Sequence, residues 1–141
     1  MPSIRNLAIC VFRHGTRILV ARGTDDVKGE AFLRPLGGAV EFGERIVDAL
    51  RREIREELGV EIRDPVRLGL LENVFTYRGE PGHEIVFVFD AKFVDPDLYT
   101  RTSLPLDEPV WDGEARWIDL AEPQPLALYP EGLLTLLEEN P

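Results

Sequence analysis

The chain has 141 residues, of which 44% are hydrophobic and 30% charged, enough for one compact core and too short for two comfortable ones. Sixteen Lys and Arg against 26 Asp and Glu leave a net charge of −10, which repels polyanions and anionic membrane surfaces and argues against an extended nucleic-acid partner or a membrane partner. A lone Cys10 makes no internal disulfide, two histidines supply no His-rich metal cage, and no apolar run approaches the ~20 residues of a spanning helix, so a soluble, cytoplasmic, single domain over residues 1–141 is expected.

Leu7, Ile9 and Val11 share one parity, and Arg13-His14-Gly15-Thr16 breaks the pattern before Ile18-Leu19-Val20-Ala21. This predicts two strands joined by a tight turn. A loop with Gly23, Asp25, Asp26, Lys28 and Gly29 leads to Arg34-Pro35-Leu36-Gly37-Gly38, where proline and paired glycines demand special backbone geometry. From Arg45 to Leu58, Ile46, Leu50, Ile54 and Leu58 recur every fourth position and Gly59 follows, which predicts a helix and its stop.

Val60 to Tyr77 carries strand-forming residues, and Arg78-Gly79-Glu80-Pro81-Gly82 forms a turn cluster before Ile85-Val86-Phe87-Val88-Phe89, so a long hairpin is expected. Asp95 to Gly113, with three prolines, reads as an irregular loop ahead of a last strand at Ala115 to Asp119. Pro130 suits the first turn of a closing helix whose leucines 133, 134, 136 and 137 face the core.

The chemistry concentrates on the first helix. Glu53, Glu56 and Glu57 stand at i, i+3 and i+4, and at about 100° per residue they fall within one arc of roughly 100° bordering the apolar stripe. An ordinary solvated face lies opposite that stripe, where Asp48, Arg51 and Arg55 sit. Clustered carboxylates beside a buried stripe need a positive neighbour, either Arg52 and Arg55 or a cation. An all-oxygen set suits Mg²⁺, with Mn²⁺ possible, better than Zn²⁺, and a helical site does not suit an EF-hand Ca²⁺ loop.

The run from Gly38 to Val60 resembles the Nudix box, G-x5-E-x7-R-E-U-x-E-E-x-G-U with U aliphatic, and every specified position matches. The resemblance implies an α/β fold, an α/β/α sandwich with a mixed β-sheet. It implies that Glu53, Glu56 and Glu57 are catalytic and metal-binding, that Gly37 or Gly38 presents a backbone carbonyl to metal, and that Glu44 and Arg52 brace the box. The activity implied is Mg²⁺-dependent hydrolysis of a diphosphate linkage in a nucleoside diphosphate joined to another moiety: a dinucleoside polyphosphate, a nucleoside triphosphate or a nucleotide sugar. Rivals are an isomerase of isoprenoid diphosphates and a noncatalytic nucleotide sensor, and a homodimer is compatible with the family.

Glu53 is a candidate general base, with Asp107, Glu108, Asp112 and Glu114 as acids that could enter from the long loop. Only Lys28 and Lys92 among the 16 basic residues are lysines, so planar phosphate donors abound; Arg22, ending the second predicted strand, and Arg34, just before the glycines, are the nearest candidate phosphate contacts, with surface or structural ion pairs as the other reading. Phe75 and Tyr77 either stack on a base or pack within the strands. Tyr77, 17 residues beyond Val60, also resembles the placement of a tyrosine in dinucleoside polyphosphate hydrolases. His83-Glu84 lacks the second histidine of H-E-x-x-H, and neither a G-x-S-x-G nor a P-loop motif occurs.

Overall fold

A computed structural model describes residues 2–107 and 113–141. In chain order the elements are β1 (Ile4–Val11), β2 (Arg13–His14), β3 (Arg17–Asp25), β4 (Glu30–Arg34), β5 (Leu36–Ala39), α1 (Ile46–Leu58), β6 (Ile62–Tyr77) and β7 (Glu80–Phe93). A 3₁₀ turn (Pro96–Thr100), β8 (Ser103–Pro105), β9 (Glu114–Asp119), β10 (Ala127–Leu128) and α2 (Leu133–Glu139) complete the chain.

The strands form two sheets. One has the order β5-β1-β7-β6, with β1 and β7 parallel and the other neighbours antiparallel. The second has the order β10-β4-β3-β9-β8, with β2 paired to β3. The predicted tight turn is present, but it joins β2 to β3. β1 does not pair with β3; it enters the other sheet between β5 and β7, because its residues are apolar on both faces and suit a central position.

That two-sided burial sets the layering. Odd-numbered Leu7, Ile9 and Val11 join one apolar cluster with Val86, Val88 and, from α2, Leu133 and Leu137. Even-numbered Ala8 and Cys10, with Phe12, join another with Ala49, Leu50 and Ile54 of α1. Successive strand side chains point to opposite faces, so the two helices lie on opposite sides of β1, an α/β/α arrangement with a mixed sheet. Each fully buried leucine or isoleucine at these contacts contributes roughly 1.5–3 kcal/mol.

α1 forms as its spacing predicts. Leu50 and Ile54 are fully buried, and Gly59 closes the helix in the left-handed region (φ 68°), its N–H donating to the Arg55 carbonyl at 2.9 Å. The long hairpin is also present, but its turn is only Arg78-Gly79. Both residues have positive φ, as a two-residue hairpin turn requires, and Glu80, Pro81 and Gly82 already belong to β7.

Three other expectations need correction. Asp95 to Gly113 is not wholly irregular, since it holds the 3₁₀ turn, started by the Asp95 side chain accepting from the Asp97 N–H, and β8, which pairs with β9. β9 is not the last strand, because β10 adds to the edge of β4. α2 starts at Leu133, after Gly132, which leaves Pro130 outside its first turn; Leu133 and Leu137 are buried whereas Leu134 is exposed, since a seven-residue helix offers the core only one narrow stripe. No helix among the described residues is long and apolar enough to cross a membrane.

Candidate active site

Between the two sheets and α1 lies an open cavity of about 450 Å³. Its walls follow the two-residue period of the strands: Arg5, Leu7 and Ile9 from β1, Glu30, Phe32 and Arg34 from β4, Asn73, Phe75 and Tyr77 from β6, and Glu84 and Val86 from β7. Gly37, Gly38 and Ala39 of β5, Glu53 and Glu57 of α1, and Tyr129 and Pro130 also line it.

The glycines let α1 reach this space. β5 runs antiparallel to β1, with Ile9 opposite Gly37 and Ala8 opposite Gly38. Gly37 has φ 144°, and a Cβ there would lie 2.1 Å from the Ala8 carbonyl oxygen. A Cβ on Gly38 would lie 2.4–2.6 Å from the carboxyl atoms of Glu53. The Gly37 N–H donates to Glu57 Oε1 at 3.1 Å, which helps to hold that buried carboxylate at the cavity wall; Glu57 is 4% exposed.

Arg52 organises the remaining acids. Its Nε and Nη2 donate to the two Glu44 carboxylate oxygens at 2.8 and 2.9 Å, a bidentate pair. Nη2 also donates to the Ala39 carbonyl at 2.9 Å, while Nη1 donates to Glu53 Oε1 at 3.0 Å and reaches Glu56 Oε2 at 3.3 Å. Glu44 in turn accepts from the Glu41 N–H at 3.1 Å. The Arg52 hydrogen bonds, followed by the backbone one, hold the Glu44 carboxyl down to about 2, and the Glu44 pairing pushes the Arg52 guanidinium further up. Arg55, the other expected neighbour of the acids, instead donates to Glu61 at 2.9 Å.

The three helix acids therefore occupy different surroundings. Glu53 and Glu57 line the cavity; Glu56 lies outside its lining, with its side chain 45% exposed and turned to Arg52. Among the described residues no three His, Cys, Asp or Glu side chains converge into a cation cage. Two carboxylates and the neighbouring β5 backbone still make an all-oxygen donor set, which suits a hard divalent cation.

Of the other candidates, Arg34, Phe75 and Tyr77 line the cavity, and desolvation lowers the Arg34 guanidinium from its usual value against the opposing influence of Glu84 and Glu57. Tyr77 is also a strand-packing residue: its ring meets Phe32 edge-on at 5.9 Å and its hydroxyl donates to the Thr24 carbonyl at 3.2 Å. Arg22 is exposed and does not line the cavity, because it pairs with Leu33, whose parity on β4 is opposite to that of the lining residues Phe32 and Arg34. Asp107 is exposed beside the end of α1, where its N–H donates to the Glu57 carbonyl at 2.7 Å, and Glu114 pairs with Arg116; neither lines the cavity. Glu108 and Asp112 lie outside the described residues.

Residues that sequence reasoning missed come from the same alternation. Phe32 is two positions from Arg34, and Asn73 two from Phe75, so strand parity alone nominates both. Asp25 and Lys28, which the sequence places in a loop, also line the cavity. Asp25 accepts from the N–H groups of Arg78 (2.9 Å), Val27 (3.1 Å) and Lys28 (3.2 Å), while Lys28 Nζ donates to the Thr76 carbonyl at 2.8 Å. This clasp ties the β3–β4 turn to the tip of the β6–β7 hairpin and lowers the Asp25 carboxyl, chiefly through the Arg78 N–H.

Comparison with known proteins agrees with this architecture. Residues 2–137 match the model of the NUDIX domain, and the chain belongs to the Nudix family. It is 33% identical over 94 residues to YvcI, a Nudix hydrolase of Bacillus subtilis (strain 168), covering 67% of this chain and 55% of that protein. It is 34% identical over 112 residues to the nucleoside triphosphatase NudI of Salmonella newport (strain SL254), covering 70% of this chain and 67% of that protein. The chain thus spans only about half the length of the first of these relatives. The crystal structure of a MutT NUDIX hydrolase from Burkholderia pseudomallei superposes with a TM-score of 0.69 at 26% identity, over 96% of this chain and 97% of that one. The mixed α/β sandwich is the Nudix fold.

Proposed function

We propose that this protein hydrolyses a diphosphate linkage in a nucleoside diphosphate joined to another group, with Mg²⁺, or Mn²⁺ in its place, as cofactor. The observation that carries this reading is that Glu53 and Glu57 open into the same cavity as Arg34 and the aromatic rings of Phe32, Phe75 and Tyr77. An anionic diphosphate suits the acid end only with a cation between them, and a planar base suits the rings.

Glu53, Glu57 and the carbonyls of Gly37 and Gly38 would hold the cation, with Glu56 as the third acid. A divalent cation there supplies positive charge to the diphosphate oxygens and makes water more acidic. Glu53 is the proposed base that takes the proton of the attacking water, and Arg34 the proposed phosphate donor. Arg52 and Glu44 act through position, by fixing where the Glu53 carboxylate stands. A nucleoside triphosphate is supported as one substrate class by the activity named for the Salmonella relative.

The test is a panel of nucleoside triphosphates, ADP-ribose, nucleotide sugars and dinucleoside polyphosphates, assayed with Mg²⁺ for nucleotide products, together with an isoprenoid diphosphate assayed for rearrangement. Release of a nucleotide with its phosphorylated partner from at least one member is expected: phosphate or diphosphate from a triphosphate, a sugar phosphate from ADP-ribose or a nucleotide sugar, a second nucleotide from a dinucleoside polyphosphate. Binding without turnover would point to a sensor, and rearrangement of an isoprenoid diphosphate without phosphate release to an isomerase; either outcome overturns the hydrolase reading.

A further inference from the structure

Asn73 stands in the cavity wall and is 7% exposed. Its Oδ1 accepts from the Glu131 N–H at 2.8 Å. Its Nδ2 is buried and has no hydrogen-bond partner among the described residues. The amide cannot turn over to relieve this, because the NH₂ group would then face the Glu131 N–H, donor against donor. Asn73 is therefore a donor held in one orientation, and a buried donor left unmet is costly.

The surroundings narrow what could meet it. Phe75, two residues along β6, lines the same cavity, as do Val86 of β7 and Tyr129. Glu84, directly opposite Asn73 in the β6–β7 register, also lines the cavity, but it engages Arg5 at 3.5 Å and is not bonded to the amide. Among the described residues nothing meets Nδ2, so an acceptor brought into the cavity could do so, and the nearby rings of Phe75 and Tyr129 suit a flat one.

We propose that Asn73 is a specificity-determining residue, whose fixed side-chain N–H selects substrates that present a neutral acceptor, a base carbonyl or an unprotonated ring nitrogen, to that wall. This deepens the hydrolase reading and rests on it for the orientation of the substrate, phosphates toward Glu53 and Glu57 and base toward Asn73. Asn73 takes no part in the bond-breaking step.

The test compares wild type with Asn73→Asp and Asn73→Leu. Asn73→Asp keeps an oxygen for the Glu131 N–H and replaces the donor by an acceptor of nearly identical shape. Binding of AMP, GMP, CMP and UMP is measured by calorimetry with Mg²⁺ present, which requires no turnover. Wild type is expected to prefer one or more of the four, and Asn73→Asp to bind the preferred nucleotide about ten- to a hundred-fold more weakly and to change the rank order. Asn73→Leu should lose the preference without reversing it. For substrates the enzyme turns over, the loss should appear mainly in KM, with kcat within about threefold of wild type.

Failure to bind any of the four mononucleotides, or unchanged affinities and rank order in a folded Asn73→Asp protein, would overturn the proposal. Mononucleotide selectivity that responds to Asn73 in a protein hydrolysing no member of the substrate panel would overturn the hydrolase reading alone.

Discussion

The backbone of Gly38 lies so close to the carboxylate of Glu53 that a single added methyl group would sit 2.4 Å from its carboxyl carbon. A side chain at position 38 and the observed position of Glu53 exclude one another. Gly38→Ala should therefore act on the site more than on the fold, because the atoms that must give way are the far end of a flexible side chain. We expect turnover to fall at least tenfold while the urea midpoint of unfolding changes little.

Gly37→Ala should behave in the opposite way. Its Cβ would meet the Ala8 carbonyl at 2.1 Å in a backbone region that favours glycine, and neither the carbonyl nor the β1–β5 pairing can move cheaply. A loss of about 2 kcal/mol or more is expected from urea denaturation, on the scale of strained backbone substitutions. Equal stability of the two alanine variants would contradict this distinction.

Arg52→Lys keeps the charge but cannot reproduce the forked contact with Glu44 while also reaching Ala39 and Glu53. Turnover should drop about ten- to a hundred-fold, with the loss in kcat, because Glu53 loses its positioning partner. Steady-state kinetics with wild type and variant at saturating Mg²⁺ check this. Arg55→Lys, on a residue paired only at the surface with Glu61, serves as the control and should retain near-wild-type kinetics.

Much of this site is legible in the sequence, and what is legible follows from short-range rules. The i, i+3, i+4 spacing places Glu53 and Glu57 beside the buried stripe, and α1 ends where Gly59 predicts. Glu56 shows the limit of the helical wheel: it shares the arc, yet Arg52 one turn earlier draws it to the surface. Sheet partners were harder to read, because Leu7–Val11 and Ile18–Ala21 look alike locally and only the apolar even positions of β1 reveal that it is central in its own sheet. The clasp at Asp25 and the orphaned donor of Asn73 depend on the meeting of segments far apart in the chain, Asp25 with Arg78 and Asn73 with Glu131, which no local pattern encodes.

The Asp25 clasp gives a pH dependence of known sign. Its carboxyl is held below its ordinary value of 3.8, so it contributes stability that is fully present above that value and is lost as the pH falls through the lower folded value. The wild-type urea midpoint should decrease from about pH 4 downward, and Asp25→Asn should start from a lower midpoint at pH 7 and show a shallower decrease over the same acid range. Parallel curves for the two proteins would show that Asp25 does not carry the effect.

Cys10 is fully buried, and burial, followed by the charge of Asp90, pushes its thiol well up. The native protein should leave a thiol-reactive dye unreacted at pH 8, whereas the urea-unfolded protein should react with one equivalent. Rapid labelling of the native protein would mean that the β1 core opens readily.

The central claim is that the edge of α1 and the cavity form one phosphate site that depends on a divalent cation. Calorimetric titration of a nonhydrolysable nucleoside triphosphate analogue, with Mg²⁺ and with chelator, tests it most directly in wild type, Glu53→Gln and Glu57→Gln. Affinity should rise at least tenfold with Mg²⁺ in wild type, and either substitution should abolish most of the increase. Equal affinity in chelator and Mg²⁺, or an increase untouched by both substitutions, would contradict it.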